Sequence, residues 1–237
     1  MLKIQNFTKY YGDKKAVDNL NLEVKSGEIF GFIGHNGAGK TTTIKSIVGI
    51  LDFEEGDIFI DGISIKKDSL ECKKNIAYIP DNPDIYENLS GNFYLNFIAD
   101  IFEIDEKTRK EKVEKYATMF EIKENLNDLI SSYSHGMKQK LVIISALMHS
   151  PKLLVLDEPF VGLDPKSTFL LKQIMRDMTN DGTTIFFSSH VLEVVEKLCD
   201  RIGIIKKGKL IKLGSVEEIK GDESLEEVFL ELTENEK

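Results

Sequence analysis

A glycine-rich stretch carries the most specific chemistry in this sequence of 237 residues. It matches the pattern G-x-x-x-x-G-K-[ST] in full and reads Gly34-His35-Asn36-Gly37-Ala38-Gly39-Lys40-Thr41. Glycines let backbone N–H groups curl around an anion, because positive φ and close approach cost little without a Cβ. Apolar residues at helical spacing from Ile44 to Leu51 predict a helix that begins here and directs its positive end at phosphate groups. The stretch therefore predicts a nucleotide site, with contacts from Asn36, Gly37, Ala38, Gly39, Lys40, Thr41 and Thr42.

Two of these side chains have distinct expected roles. The ammonium of Lys40 is predicted to contact the β- and γ-phosphates, which also places it in the catalytic set. The hydroxyl of Thr41 is predicted to ligate Mg²⁺. The alternative is a glycine-rich turn between a strand and a helix that holds no ligand.

Two adjacent carboxylates follow a second apolar run. Residues 153–156 predict a buried strand, and Asp157 and Glu158 come directly after it. Ligands of open parallel sheets bind beyond the carboxyl ends of the strands, so both acids are expected beside the phosphate loop. Neighbouring residues on a strand point to opposite faces, so we expect Asp157 to serve Mg²⁺ through water and Glu158 to face the attacking water as general base. The alternative is that either acid merely caps a turn before Pro159.

The elements that position these residues follow from changes in the hydrophobic pattern. Short apolar or alternating runs between turn residues predict strands at 2–7, 20–24, 28–33, 57–60 and 76–79. Continuous apolar runs at 153–156 and 184–187 are typical of parallel strands covered on both faces. Helical spacing predicts an inserted helical region over about 89–148 and further helices at 164–179 and 225–232. We expect the last of these to dock on this chain rather than to bind a partner.

Composition narrows the class of protein. Lys and Arg number 31 against 40 Asp and Glu, and the resulting net charge of −9 disfavours a nucleic-acid partner. Cys72 and Cys199 lie far apart and outside any CxxC or His-rich cluster, which predicts buried free thiols rather than a zinc site. The longest uncharged apolar stretch, at 141–151, is far shorter than the ~18–20 residues of a membrane-spanning helix, so no direct membrane insertion is expected.

A third motif precedes the paired carboxylates. Its sequence, Tyr133-Ser134-His135-Gly136-Met137, is close to the consensus LSGGQ. Together with the phosphate loop and the two acids, it resembles the ATP-binding subunit of ABC transporters, and the resemblance covers essentially the whole chain. Ser134 is also a good N-cap for the apolar helix that follows, and a capped helix without a ligand is the alternative. The resemblance implies that Ser134, His135 and Gly136 face the γ-phosphate of ATP held by the opposing subunit.

Three further residues match the family one by one. Asp164 resembles the residue of the loop that communicates between the two ATP sites. His190 matches the switch histidine that contacts the γ-phosphate, and Tyr11 matches the aromatic residue that stacks on adenine. Taken alone, His190 would be a helix N-terminal residue without a catalytic task, and Tyr11 a core tyrosine.

Two positions depart from the family pattern. Asp81 stands where the family usually has Gln, and its carboxylate is expected to hold Mg²⁺ together with Thr41 and Asp157. His135 replaces a signature glycine, so its side chain is expected to obstruct close backbone approach or to require a different φ, which would weaken the clamping of nucleotide.

The resemblance implies an α/β fold. Its core would be a P-loop NTPase (RecA-like) domain with an antiparallel β subdomain, formed by residues 1–81 and 151–215. A helical subdomain with the signature would occupy 82–150, and a C-terminal helical tail 216–237.

The resemblance also implies an activity and partners. ATP would be bound and hydrolysed with Mg²⁺ as cofactor, with Glu158 as base and Lys40 and His190 stabilising the transition state. Two subunits would close on two ATP molecules and separate after hydrolysis. The second subunit would be another copy of this chain, which we favour, or a relative. A separate transmembrane permease, docking near Pro83, Ile85 and Tyr86, would hold the chain at the cytoplasmic face of the cell membrane. The alternative is that this segment is a solvated loop without a partner.

Details of three motifs resemble the branch that exports drugs and antibiotic peptides, namely those at 136–139, 162–165 and 224–226. The rival interpretation is a soluble ABC-type ATPase of DNA repair, translation or nucleotide sensing. The interval between Lys40 and Ser134 has no sustained heptads and the chain holds one cassette, which disfavours the repair and translation types.

Overall fold

The computed structural model describes residues 1–234, which fold around two β-sheets. Over this range the strands are, in chain order, β1 (Leu2–Tyr11), β2 (Lys14–Val24), β3 (Ile29–Ile33), β4 (Glu55–Ile60), β5 (Ile63–Ser64), β6 (Ile76–Ile79), β7 (Leu153–Asp157), β8 (Thr184–Ser189), β9 (Arg201–Lys206) and β10 (Lys209–Ser215). The helices are α1 (Lys40–Ile47), α2 (Ser69–Lys74), α3 (Gly91–Ile101), α4 (Glu106–Met119), α5 (His135–Met148), α6 (Pro165–Asn180), α7 (Leu192–Leu198), α8 (Val216–Lys220) and α9 (Leu225–Glu234). This mixed α/β architecture agrees with the predicted fold class.

The larger sheet positions the predicted chemistry. Its strand order is β10-β9-β3-β8-β7-β6, and all neighbours except β10 and β9 are parallel. Strands β3, β7 and β8 are buried along their whole length, because helices and the second sheet cover both faces. Parallel strands end at one edge, so the segments after β3, β6, β7 and β8 emerge side by side.

Alternate residues of the central strands face two different cores. In β3, Ile29 and Ile33 belong to the core shared with α5, α6 and α7, whereas Phe30 and Phe32 belong to the core shared with the smaller sheet. Phe186 of β8 packs on both phenylalanines, with ring centroids 5.6 Å from Phe30 and 5.5 Å from Phe32. Burial on both sides holds the central strands rigidly and therefore fixes the edge where the site residues emerge.

The smaller sheet is antiparallel, with the order β2-β1-β4-β5. Strands β1 and β2 are several residues longer than the sequence pattern predicted. Register shifts between Ile4 and Phe7 and between Phe7 and Lys9 interrupt the pairing, so the two-residue alternation on which the prediction relied breaks down. The extended hairpin carries Tyr11 at its tip.

The helical region consists of α3, α4 and α5. Each helix begins with a side-chain cap, in which Ser90, Asp105 or Ser134 accepts a hydrogen bond from the backbone N–H three residues later. Leu141, Ile143 and most of the residues that follow them in α5 are buried, so α5 anchors the region to the large sheet. The capped start of α5 thereby acquires a fixed position at the surface.

The last part of the described chain was the least predictable. The tail helix α9 docks on this chain as expected, with Leu225 and Phe229 buried. Strand β10 was missed because it is an edge strand on which Lys209, Lys212 and other exposed residues obscure the pattern. No helix within residues 1–234 has the length and apolar character needed to cross a membrane.

Candidate functional site

The phosphate loop connects β3 to α1 in the manner its glycines require. Gly37 and Gly39 have φ values of 78° and 114°, a region that residues with a Cβ rarely adopt. The N–H of Ala38 donates to the carbonyl of His35 at 3.1 Å, which closes the turn. A Cβ on Gly34 would collide with the carbonyl oxygen of Ile205, so the loop lies directly against the end of β9. The backbone is therefore curled at the start of a helix, as anion binding demands.

Lys40, the first residue of α1, turns back over this loop. Its ammonium donates to the carbonyl of Gly34 at 2.6 Å and to that of His35 at 3.3 Å. The side chain is only 7% exposed, and burial lowers its pKa, while Glu158 and Asp157 oppose the shift. A cation in a poorly solvated position interacts strongly with an anion that enters the same space.

Ser188 joins the two adjacent carboxylates to the neighbouring strand. It lies opposite Asp157 in the pairing of β7 with β8. Its hydroxyl donates to Oδ1 of Asp157 at 2.6 Å and accepts from the N–H of Glu158 at 3.1 Å. Asp157 is 2% exposed, so this hydrogen bond satisfies an oxygen that would otherwise be buried without a partner.

Glu158 departs from the strand geometry expected of it. Its φ is +47°, so strand alternation stops at Asp157 and a left-handed turn sets the direction of the glutamate side chain. Oε2 of Glu158 lies 2.8 Å from Nδ1 of His190, and Oε1 lies 3.9 Å from the ammonium of Lys40. The backbone N–H of His190 also donates to Oε2, at 3.2 Å. The carboxylate is thus held between a histidine and a lysine.

These residues surround one cleft of about 590 Å³. Most of the predicted nucleotide, catalytic and metal residues line it: Tyr11, Asn36, Gly37, Gly39, Lys40, Thr41, Thr42, Asp81, Asp157 and Glu158. Ala38 does not line the cleft, because its side chain is buried and its carbonyl accepts a hydrogen bond from Gly208 at 2.9 Å. His190 reaches the site through Glu158. Tyr11 is 52% exposed, so it is a surface aromatic ring and not a core tyrosine.

Several cleft residues were not predicted from the sequence. Lys14, Lys15, Ala16 and Lys207 also line the cleft. A Cβ on Gly39 would lie 2.8 Å from the carbonyl oxygen of Ala16, which shows how closely β2 approaches the phosphate loop. Lys14 and Lys15 begin β2, Lys207 lies in the β9–β10 turn, and none of these lysines belongs to a motif. Ser188 could have been suspected, since it is one of two serines that follow the apolar middle of β8.

The signature residues lie elsewhere on the chain. Ser134, His135 and Gly136 do not line the cleft, and Ser134 instead caps α5 by accepting from the N–H of Met137 at 3.2 Å. Asp164 forms an ion pair with Lys140 of α5 at 2.8 Å. The Lys140 ammonium and the Ser167 donors hold the pKa of Asp164 well below its usual range. The signature and the Asp164 loop therefore form a surface separate from the cleft.

Comparison with known proteins identifies the family. A sequence model of the family described as ABC transporter matches residues 17–161. These include the phosphate loop, the signature and both carboxylates. The chain belongs to the ABC transporter family.

Its relatives are ATP-binding proteins of such transporters. The linearmycin resistance ATP-binding protein of Bacillus subtilis is 36% identical over 215 residues, which cover 91% of this chain and 69% of the relative. The bacitracin transport ATP-binding protein of Bacillus licheniformis is 38% identical over 213 residues, which cover 90% of this chain and 69% of the relative. The chain is thus an ATP-binding ABC subunit.

Solved structures agree with the fold. An ATP-binding subunit of an ABC transporter superimposes with a TM-score of 0.94 at 30% identity and covers 98% of this chain and 99% of its own. A dimeric ATP-binding cassette bound to ADP and phosphate has a TM-score of 0.83 at 24% identity, covering 91% of this chain and 99% of its own.

The ABC subunit carries oxygen donors that suit Mg²⁺. The Thr41 hydroxyl and the carboxylates of Asp81 and Asp157 face the same cleft, and hard oxygen ligands of this kind are those that Mg²⁺ prefers. Within residues 1–234, no group of three or more His, Cys, Asp or Glu side chains could hold a metal ion. Mg²⁺ is usually bound by one or two protein groups together with water and phosphate oxygens.

We expect Ser188→Ala to weaken both the fold and the ATPase. The change leaves Oδ1 of Asp157 and the N–H of Glu158 without their shared partner, and unsatisfied buried groups of this kind cost about 1–3 kcal/mol. The free energy of unfolding in urea should fall by about 2 kcal/mol, and kcat should fall about tenfold because the glutamate loses its anchor. Ser131→Ala, at an exposed serine, is the control. Unchanged turnover in Ser188→Ala would show that the hydrogen bond does not position Glu158.

Proposed function

We propose that this ABC subunit hydrolyses Mg²⁺-ATP in the cleft, closes as a dimer on two ATP molecules and powers a separate permease that exports an antibiotic or a similar amphipathic molecule. The observation that carries the proposal is the convergence of Lys40, Asp157 and Glu158 on one cleft, with His190 bound to Glu158.

In the proposed reaction a water molecule attacks the γ-phosphorus and the β–γ bridging oxygen leaves with ADP. Glu158 accepts the proton of the attacking water, because its carboxylate is the base that the structure holds beside Lys40 and His190. Lys40 neutralises charge on the transferring phosphoryl group. The ring of His190 is 56% exposed, which leaves it accessible to the γ-phosphate.

Thr41, Asp157 and Asp81 would hold Mg²⁺. The ion would neutralise the phosphate oxygens and help to orient them. Oδ1 of Asp157 already accepts from Ser188, so Oδ2 is the oxygen left for the ion or its water. Asp81 brings a charged group to a position where the family usually has a neutral amide, which favours tighter metal binding.

Dimerisation follows from the separation of the signature from the cleft. Ser134 and His135, at the capped start of α5, are exposed and do not line the ATP site of their own chain. A second subunit in the opposite orientation would bring its Ser134 to the γ-phosphate. Asp164, tied to α5 through Lys140, would move with that surface.

Glu158→Gln tests this function directly. The amide cannot take a proton from water, so we expect kcat to fall by about 10²–10⁴-fold while the affinity for ATP changes little. The dimer should also accumulate in the presence of Mg²⁺-ATP, since the step that separates the subunits is blocked. Phosphate release and size-exclusion chromatography measure the two effects, with Glu106→Gln at an exposed glutamate as the control. A variant that hydrolyses ATP at the parental rate would remove Glu158 from the mechanism.

A groove of about 370 Å³ supports a docking site for the permease. It lies between the large sheet and the helical region and includes Ile85, Ile98 and Phe102 in its lining. His149 also lines it, stacked on Phe102 at 3.7 Å, and burial lowers the pKa of this histidine to about 4, so the ring is neutral at physiological pH. A largely apolar groove, with Lys73 and Asp84 as its charged lining residues, suits an amphipathic segment of a membrane protein.

The segment predicted for docking lies at this groove. Ile85 is part of the lining, and Tyr86 is 59% exposed and packs edge-on against Phe97 of α3 at 6.2 Å. The segment begins just after Asp81 of the ATP cleft, so a partner seated here would contact the chain next to the γ-phosphate site. Held in this way, the subunit would work peripherally at the cytoplasmic face of the membrane.

Ile85→Asp combined with Tyr86→Asp should abolish association with a co-expressed permease. A charge in the groove would have to be desolvated by the partner, whereas the ATP cleft is untouched. We expect loss of co-purification and of antibiotic resistance, with the ATPase rate of the isolated subunit within about twofold of the parent. Phe169→Asp, at an exposed phenylalanine of α6, should retain both. Full co-purification of the double variant would place the docking site elsewhere.

The names of the relatives support the cargo class. One relative is named for linearmycin resistance and another for bacitracin transport. We therefore propose export of a bulky antibiotic, with the choice among such molecules made by the permease.

A further inference from the structure

The tail helix α9 touches the phosphate loop. The ring of Phe229 lies 5.0 Å from the ring of His35, centroid to centroid, at an interplanar angle of 57°. Phe229 is 7% exposed and belongs to the main core, whereas His35 is an exposed residue of the loop. The contact thus joins a buried aromatic ring of the core to an exposed residue of the loop.

His35 matters for the loop through its backbone. Its carbonyl accepts the hydrogen bond from the N–H of Ala38 that closes the turn, and it also accepts from the ammonium of Lys40 at 3.3 Å. A side chain that restrains His35 therefore restrains the curl that aims the amides at phosphate. Pre-organised loops bind more tightly because less ordering has to occur on binding.

The other contacts of α9 lie at its two ends and join it to elements next to the site. The backbone N–H of Leu225 donates to Glu196 of α7 at 3.3 Å, and Glu196 also pairs with Lys220 of α8 at 3.1 Å. Helix α7 begins two residues after His190. At its far end, α9 accepts a hydrogen bond at the carbonyl of Leu232 from Lys206 at 3.4 Å, where β9 lies against the phosphate loop. The helix therefore spans from α7, the helix that follows His190, to the end of β9 beside the loop.

We infer that α9 is a brace of the nucleotide site and that Phe229 is a positioning residue, which acts through His35 to hold the phosphate loop in its binding conformation. The inference rests on the proposed nucleotide site but not on hydrolysis, dimerisation or the permease. It predicts coupling in both directions, because an element that favours nucleotide binding must itself be stabilised when nucleotide binds.

The direct test measures the Kd for ATP in Phe229→Ala by titration with a fluorescent ATP analogue. Loss of one aromatic contact predicts a Kd about three- to tenfold higher. The KM for ATP should rise by a similar factor while kcat at saturating ATP stays within about twofold, since Phe229 touches no reacting group. Leu230→Ala, at the next and 41% exposed residue of the same helix, should bind ATP as the parent does.

A second variant keeps the test independent of folding. His35→Ala alters only an exposed side chain, so it should fold normally and reproduce the rise in Kd. Because both residues act through one contact, the double variant should bind no more weakly than the weaker of the two single variants. Additive effects would overturn the inference, as would a Phe229→Ala variant that melts at a lower temperature but binds ATP with the parental Kd.

Hydrogen exchange of the unmodified chain examines the reverse coupling. Backbone amides of 226–233 should exchange more slowly with ATP present than without it, whereas those of α4, which lies in the helical region, should be unchanged. Equal exchange of the α9 amides in both conditions would show that the helix does not sense the nucleotide. Failure of hydrolysis in these samples would leave this result intact, so the two proposals are tested separately.

Discussion

The parallel register of the large sheet is the constraint on which the site depends. Ile33 pairs with Ser189, Asp157 with Ser188 and Ile79 with Leu156, so four strands end at nearly the same level. This register brings together the phosphate loop, the two carboxylates and His190, which lie far apart along the chain. A slip of one strand by one residue would turn its side chains to the other face and separate the phosphate loop from the carboxylates. Burial on both faces of the central strands makes such a slip costly.

The backbone of Glu158 is locally strained, although the sheet that carries it is rigid. Glu158 adopts a left-handed backbone that is unfavourable for a residue with a Cβ, and the Ser188 hydroxyl and the His190 N–H compensate by hydrogen bonding to it. The turn directs the carboxylate towards Lys40 and places both acids in the same cleft. The frame thus tolerates one strained residue because its neighbours on two strands over-determine it.

Much of this arrangement could be predicted from the sequence, for identifiable reasons. The phosphate loop, the buried strands and the capped helices follow from local rules, since glycine spacing, apolar runs and N-cap residues act within a few positions. The direction of Glu158 could not be predicted, because the rule of strand alternation fails where the backbone turns left-handed. Lys14 and Lys207 were missed for a different reason: they enter the cleft from the start of β2 and from the β9–β10 turn, and tertiary packing alone sets the place of both beside the loop. The contact of Phe229 with His35 likewise could not be predicted from the sequence. The amphipathic helix that carries Phe229 was predicted.

The charges that line the cleft explain how an acidic chain can bind an anionic ligand. A chain with a net charge of −9 should repel a triphosphate, yet four lysines line the cleft against three carboxylates. At physiological ionic strength, charges further away than about 8 Å are largely screened, so the local cations and helix N-terminus outweigh the distant acidic surface. Lys40 is the buried one of these four lysines, so little water weakens its interaction with phosphate. Its carbonyl partners, Gly34 and His35, stabilise the ammonium by hydrogen bonding and lie at the base of the loop that α9 holds. His35 thus contacts the ammonium of Lys40 through its carbonyl and Phe229 of α9 through its ring.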